Sequence, residues 1–210
     1  MKFAAVLLSV ITLLFSADKA MATEEAKYTL IEKDGAFEVR TYDSKIIAEV
    51  MVEGEMSDAT SAGFRLLADY IFGNNAAASG RSEKISMTAP VTVENRSEKI
   101  AMTAPVAIQS EQKGWRVWFV MPRHFTLATL PKPNNPLVVI KPIAAKHYAV
   151  VRFSGWVDDE KMQAKVKELS TWLAVKKLTS KGQPELARYN PPWTLPFLRR
   201  NEVMLEISSD

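Results

Sequence analysis

Short runs in which apolar and polar positions alternate, broken by two longer stretches of helical spacing, organise this chain. Phe37, Val39 and Thr41 alternate with Glu38 and Arg40, the period of a strand with one face in a core. Tyr28 to Ile31 and Ile46 to Val52 read as strands on either side of it, with Asp34-Gly35 as the turn between the first two. Ala59, Gly63, Leu66, Leu67 and Tyr70 then recur at helical spacing. Ser57 is the expected N-cap, with Asp58 in the first turn, and Gly73-Asn74-Asn75 the expected stop. Trp115 to Val120 is a further strand, followed by a Pro-rich loop from Met121 to Pro136.

The second half follows the same plan. Leu137 to Lys141 and His147 to Phe153 read as strands, with a break at Ser154-Gly155. Asp158 or Asp159 opens a long helix carrying Met162, Val166, Leu169 and Leu173 on one face, and Gly182 and Pro184 end that region. Pro191, Pro192 and Pro196 stiffen a loop, and Val203 to Ile207 is the last strand. Strands, helix, strands, twice over, predict one α+β domain of two pseudo-symmetric halves, with two helices flanking an antiparallel sheet that curls toward a barrel.

A local duplication interrupts this plan. Lys84-Ile-Ser-Met-Thr-Ala-Pro-Val91 returns as Lys99-Ile-Ala-Met-Thr-Ala-Pro-Val106, each copy preceded by Arg-Ser-Glu. Two short units cannot bury a solenoid core, so this is a repeated device inside one domain. Proline removes a donor and holds the residue before it extended, so each copy reads as an edge segment leading into a short strand, Val91 to Val93 and Val106 to Gln109.

The start of the chain reads as a signal for export. Met1-Lys2 is basic, Phe3 to Phe15 is almost wholly apolar, and Ala20-Met21-Ala22 offers small residues where a signal peptidase reads. Thirteen apolar residues are too few for a bilayer span of roughly 20. Residues 1–22 are therefore expected to be removed, leaving 23–210 as a single domain in the periplasm or outside the cell. Loss of Lys2, Lys19 and Asp18 leaves 25 basic and 23 acidic side chains. So weak an excess gives no sign of a nucleic-acid partner, and no later apolar run predicts a membrane span. There is no cysteine, which excludes a disulfide frame, a thiolate metal site, a cysteine nucleophile and a thiolate haem ligand.

Several of these segments, in this order, resemble the SOUL haem-binding protein family: Phe37-Glu-Val-Arg-Thr-Tyr42, Phe64 to Asn75, both Met-Thr-Ala-Pro-Val copies, Trp118 to Pro122, Phe153-Ser-Gly155, Tyr189-Asn-Pro-Pro192 and Arg200-Asn-Glu-Val203. The resemblance runs from about Tyr28 to Ile207. It implies a distorted antiparallel barrel with two flanking helices, and non-covalent binding of haem or another porphyrin without an established catalytic step. Some animal members carry a histidine, proposed as the iron ligand, just before the tyrosine of the early strand; here that position is Thr41, a poor ligand for haem iron. The resemblance then implies that the porphyrin lies in an apolar groove on the first helix.

The residues of that helix agree with a second apolar partner. Phe64, Ala68, Ile71 and Phe72 carry the apolar arc beyond the core stripe, where a helix on a sheet needs a polar back. That partner is either a flat apolar ligand or the loops that follow. Arg65, with Arg81 and Lys84 near it in sequence, could pair with propionates. Met87 and Met102, equivalent in the two copies, could pack against or ligate a porphyrin, though core packing is the plainer role. Of the two histidines, His124 lies in a loop from which iron could be reached, and His147 lies within a strand. Nucleophile elbow, zinc-protease helix, P-loop and dinucleotide fingerprint are all absent, so the expectation is a binding protein, not an enzyme. The alternatives are a carrier for other amphipathic small molecules, for which Asp69 is the available helix carboxylate, and an enzyme acting on tetrapyrroles.

Overall fold

The computed structural model describes residues 23–95 and 114–208. The second Met-Thr-Ala-Pro copy with Met102, the strand expected at Val106 to Gln109 and the expected signal segment lie outside the described residues.

In chain order the elements are β1 (Glu24–Glu25), β2 (Tyr28–Asp34), β3 (Phe37–Tyr42), β4 (Lys45–Glu53), α1 (Met56–Ile71), β5 (Asn75–Ala76), β6 (Thr88–Ala89), β7 (Val91–Asn95), β8 (Gly114–Val120), β9 (Lys132–Pro133), β10 (Val139–Ile143), β11 (Lys146–Phe153), α2 (Asp159–Lys176), β12 (Ser180–Arg188) and β13 (Asn201–Ile207). Nine strands form one antiparallel sheet in the order β10-β4-β8-β7-β12-β13-β11-β3-β2. The α+β class and the two helices are as expected. The sheet does not close into a barrel, because β10 and β2 remain its edges.

With the edge strand β2 set aside, that order is symmetric about the β7–β12 junction, with four strands on each side. The unit β4-α1-β7-β8 in the first half corresponds to β11-α2-β12-β13 in the second. The strand before each unit crosses over: β3 pairs with β11, and β10 pairs with β4. Each half thus closes the flank of the other.

Both helices contribute to a single main core on one face of the sheet. Leu67, Tyr70 and Ile71 from α1 and Met162, Leu169 and Leu173 from α2 join Val50, Val93, Val117, Leu186, Val203 and Leu205 from the strands. Gly63 lets α1 lie close on β8, since a Cβ there would stand 2.7 Å from Val117. Helix α2 starts as expected: the Asp158 carboxylate accepts the Lys161 amide at 2.8 Å. Helix α1 does not. It begins at Met56 after Glu55, with no side-chain cap, because burial of Met56 in the core draws the first turn forward from Ser57.

Strand β12 was not expected. Gly182 and Pro184 read as breakers, yet they sit in a register irregularity between Lys181 and Glu185, where the ladder to β13 is interrupted and Pro184 needs no partner.

The opposite face of the sheet is polar and still buried. Arg40 and Glu202, both almost wholly inaccessible, form a two-pronged pair, with Arg40 donating at 2.7 and 3.0 Å. Arg40 also donates to Glu38 and to the Tyr42 hydroxyl, and the Tyr189 hydroxyl and Arg200 donate to Glu202. Farther along, Arg116 bridges Glu49 and Glu94, Lys141 also reaches Glu49, and the Tyr148 hydroxyl donates to Glu185 at 2.9 Å. The N-terminal segment crosses this face. Ala26 packs on both small clusters there, while Glu24 pairs with Arg123 and Glu25 with Arg200.

Candidate functional site

Helix α1 lies over β4 and β8 with an exposed ridge of Ser57, Asp58, Ser61, Arg65 and Asp69. Phe64, Ala68 and Phe72 stand at four-residue spacing beside that ridge. Phe64 is half-buried and meets Phe119 edge-on, ring centroids 5.5 Å apart. Ala68 is buried, and Ile71 lies within the main core. Ile71 is therefore spent on core packing instead of facing a groove. The reason is the loop chain after α1: Ile85 inserts into the same core and its amide donates to the Ile71 carbonyl at 2.8 Å. Leu130 of the Pro-rich loop and Val138 just beyond it join it, and the Tyr70 hydroxyl donates to the Pro131 carbonyl at 2.7 Å.

Much of the second apolar stripe is thus covered by the chain itself. What stays open is its C-terminal end. Phe72 is 60% exposed and Met87 36%, although Met87 stands beside buried Thr88, whose hydroxyl donates to the Val120 carbonyl. Asn75 holds this corner together: its side chain donates to the Tyr70 and Glu83 carbonyls and accepts the Glu83 amide. Arg65, Arg81 and Lys84 are exposed and make no ion pair among the described residues. Asp69 is taken by Asn74, at 2.5 Å.

The histidines fall in different surroundings. His124 is exposed in the Pro-rich loop and lies tilted against Phe125, centroids 4.2 Å apart. His147 is half-buried on β11 directly across from Thr41, with Nδ1 2.9 Å from the Thr41 hydroxyl. The match of β3 with β11, which no local pattern in the sequence announces, brings this pairing about. No group of three or more His, Asp or Glu able to hold a metal occurs among the described residues.

The family profile described as SOUL heme-binding protein matches residues 23–206. The chain belongs to the SOUL haem-binding family. That family is one of binding proteins, and membership suggests haem or a related tetrapyrrole as ligand. Among curated proteins, no sequence matches this SOUL chain significantly. Solved structures share its fold at low identity. The C-terminal domain of EcmrR superposes with a TM-score of 0.59 at 10% identity, over 87% of this chain and 99% of that one. A hydrolase from Listeria innocua gives 0.52 at 11%, over 90% and 95%, and an uncharacterized conserved protein from the same organism 0.54 at 11%, over 89% and 94%. No helix among the described residues of this SOUL member is long and apolar enough to cross a membrane.

Proposed function

We propose that this chain binds haem or another porphyrin non-covalently at the C-terminal end of α1, and acts as a binding protein after export of residues 23–210. Family membership over nearly the whole of that segment carries the reading. Exposed Phe72 and Met87 offer the porphyrin apolar surface, with half-buried Phe64 two turns back along α1 from Phe72. Arg65, Arg81 and Lys84, free of carboxylate partners among the described residues, are the groups for the propionates, and Met102 of the second copy is a further candidate contact.

The ligand would be held without strong axial coordination. Thr41 replaces the histidine of some relatives, and the Nδ1 of His147 is engaged by the Thr41 hydroxyl. His124 is the histidine with the freest ring. Without cysteine, thioether attachment of haem has no anchor.

Titration of residues 23–210 with haemin, followed by Soret absorbance and repeated with metal-free protoporphyrin, tests this. Similar saturable affinity for both is expected, with Phe72→Asp weakening each about tenfold. Binding of haemin alone, lost in His124→Ala or His147→Ala, would replace the apolar groove with a ligated iron. No saturable binding of either would overturn the reading.

A further inference from the structure

Two loops at the strand ends that carry Phe153, Arg188 and Asn201 expose five large apolar side chains. Trp156 lies in the loop before α2; Trp193, Leu195, Phe197 and Leu198 lie in the Pro-rich loop between β12 and β13. They are 56 to 82% exposed. Isolated exposed apolar residues need no account, but a cluster of this kind marks a contact surface.

The surface is built. The Gly155 amide donates to the Pro196 carbonyl at 2.9 Å and the Asn201 side chain to the Gly155 carbonyl at 3.0 Å, which ties the two loops together. Arg199 donates to the Thr194 and Pro192 carbonyls and lies over the Trp156 ring, 3.9 Å from its centre. The two tryptophans and two of the aliphatic side chains are thus presented by a braced frame.

Arg152, Arg188 and Arg199 have no carboxylate partner among the described residues. Arg188 donates to the Val157 carbonyl at 3.1 Å, and its buried Nε has no hydrogen-bond partner among the described residues. Burial, and then the charge of Arg199, hold the Arg188 guanidinium below its ordinary range. Arg152 and Arg199 also line an open groove of about 570 Å³ with Lys33, Glu38, Phe197 and Leu198, and Glu38 there is already paired with Arg40 and Lys33. The nearest acidic run in sequence, Asp158 to Glu160, opens α2, where Asp158 is used as its cap. Guanidinium groups without counter-ions call for an anion, and tryptophan beside them suits the boundary between water and hydrocarbon.

We propose that these two loops form a docking surface for an anionic lipid bilayer, with Trp156, Trp193 and Phe197 entering its interface while Arg152 and Arg199 meet headgroup phosphates. No described residue covers the five apolar side chains, so a small molecule would cover few of them, whereas a planar surface covers all. The proposal stands apart from porphyrin binding on α1.

Residues 23–210 are mixed with vesicles of phosphatidylcholine alone and with vesicles of equal parts phosphatidylcholine and phosphatidylglycerol, and binding is read by co-sedimentation at low and high salt. Binding to the mixed vesicles, weakened by salt, is expected. Trp193→Ser with Phe197→Ser should lower the partition coefficient at least about tenfold, and Arg152→Gln about fivefold. These side chains are exposed, so an unchanged thermal midpoint checks the fold of each variant. Equal binding to both vesicles, unchanged binding by the variants, or no binding at all overturns the proposal. So does self-association abolished by the same variants, which would make the partner a second copy, or saturable capture of monomeric lysophosphatidylglycerol without vesicle binding, which would make the groove a small-anion site.

Discussion

The two faces of the one sheet are both buried, but by opposite means. The helix side is a continuous apolar core in which Val117, Leu186 and Val203 meet Leu67 and Leu169. The far side is closed by arginine and glutamate, with small apolar clusters between them. Apolar burial is non-directional and tolerates imperfect partners, whereas each buried charge needs its own counter-charge at the right angle. The first face can therefore be read from spacing; the second depends on which strands meet.

The strongest way to break this contrast is to remove one charge. Arg40→Leu leaves Glu202 buried beside Arg200 alone, and urea unfolding should show a loss of about 3–5 kcal/mol. Arg40→Met combined with Glu202→Leu should recover much of that loss, since an apolar pair needs no compensation. If the single variant costs under about 1 kcal/mol, the network is not a unit.

On the helix face, Leu169→Ala should cost about 3 kcal/mol by the same measurement, the lost burial plus the cavity left behind. Gly63→Ala should cost about 2 kcal/mol from crowding of Val117, and a second change, Val117→Ala, should return part of it by making room. An additive outcome would show that the close approach of α1 to β8 is not the reason for glycine.

The smallest effect separates two carboxylates of the polar face. Burial alone raises both. For Glu202 it is outweighed by donors and charge from Arg40, then Arg200, which hold it below the ordinary value. Glu185 keeps the effect of burial and is raised to about 6 despite Lys45 and Tyr148. The signs are therefore opposite. Glu202 supports the fold at neutral pH and loses that support as pH falls through its lowered folded value. Glu185 disfavours the fold once ionised, by about 2 kcal/mol, a cost absent below its unfolded value of 4.5 and full above about 6. Unfolding titrations should show Glu185→Gln more stable than the parent at pH 7, with the gap closing on acidification toward pH 4. A gap that persists at the lower pH would assign it to packing.

The sequence showed its apolar layer plainly. Alternation in β3 and β8 and helical spacing in α2 placed those elements, and Asp158 announced its cap. It concealed the rest for physical reasons. Glu38 and Arg40 have the pattern of a solvent-facing row, and only pairing with a strand far along the chain turns them inward. Gly182 and Pro184 break strands in general but here occupy an irregularity that a strand can absorb. At the candidate site, Phe72 and Met87 are exposed. Ile71 is not, because Ile85, in the first Met-Thr-Ala-Pro copy, returns to cover it. A helical wheel records which residues share a side, not which later segment folds over them.

The crossing of β3 and β10 has a consequence for how the chain reaches this state. Thr41 meets His147 across 106 positions and Glu49 meets Lys141 across 92, so each half lacks a flanking strand until the other exists. Fragments severed in the loop between β9 and β10 should be poorly folded apart and should complement one another when mixed. Assembly by such distant pairings is slow, and the sheet cannot be finished while the last third of the chain is still being synthesised.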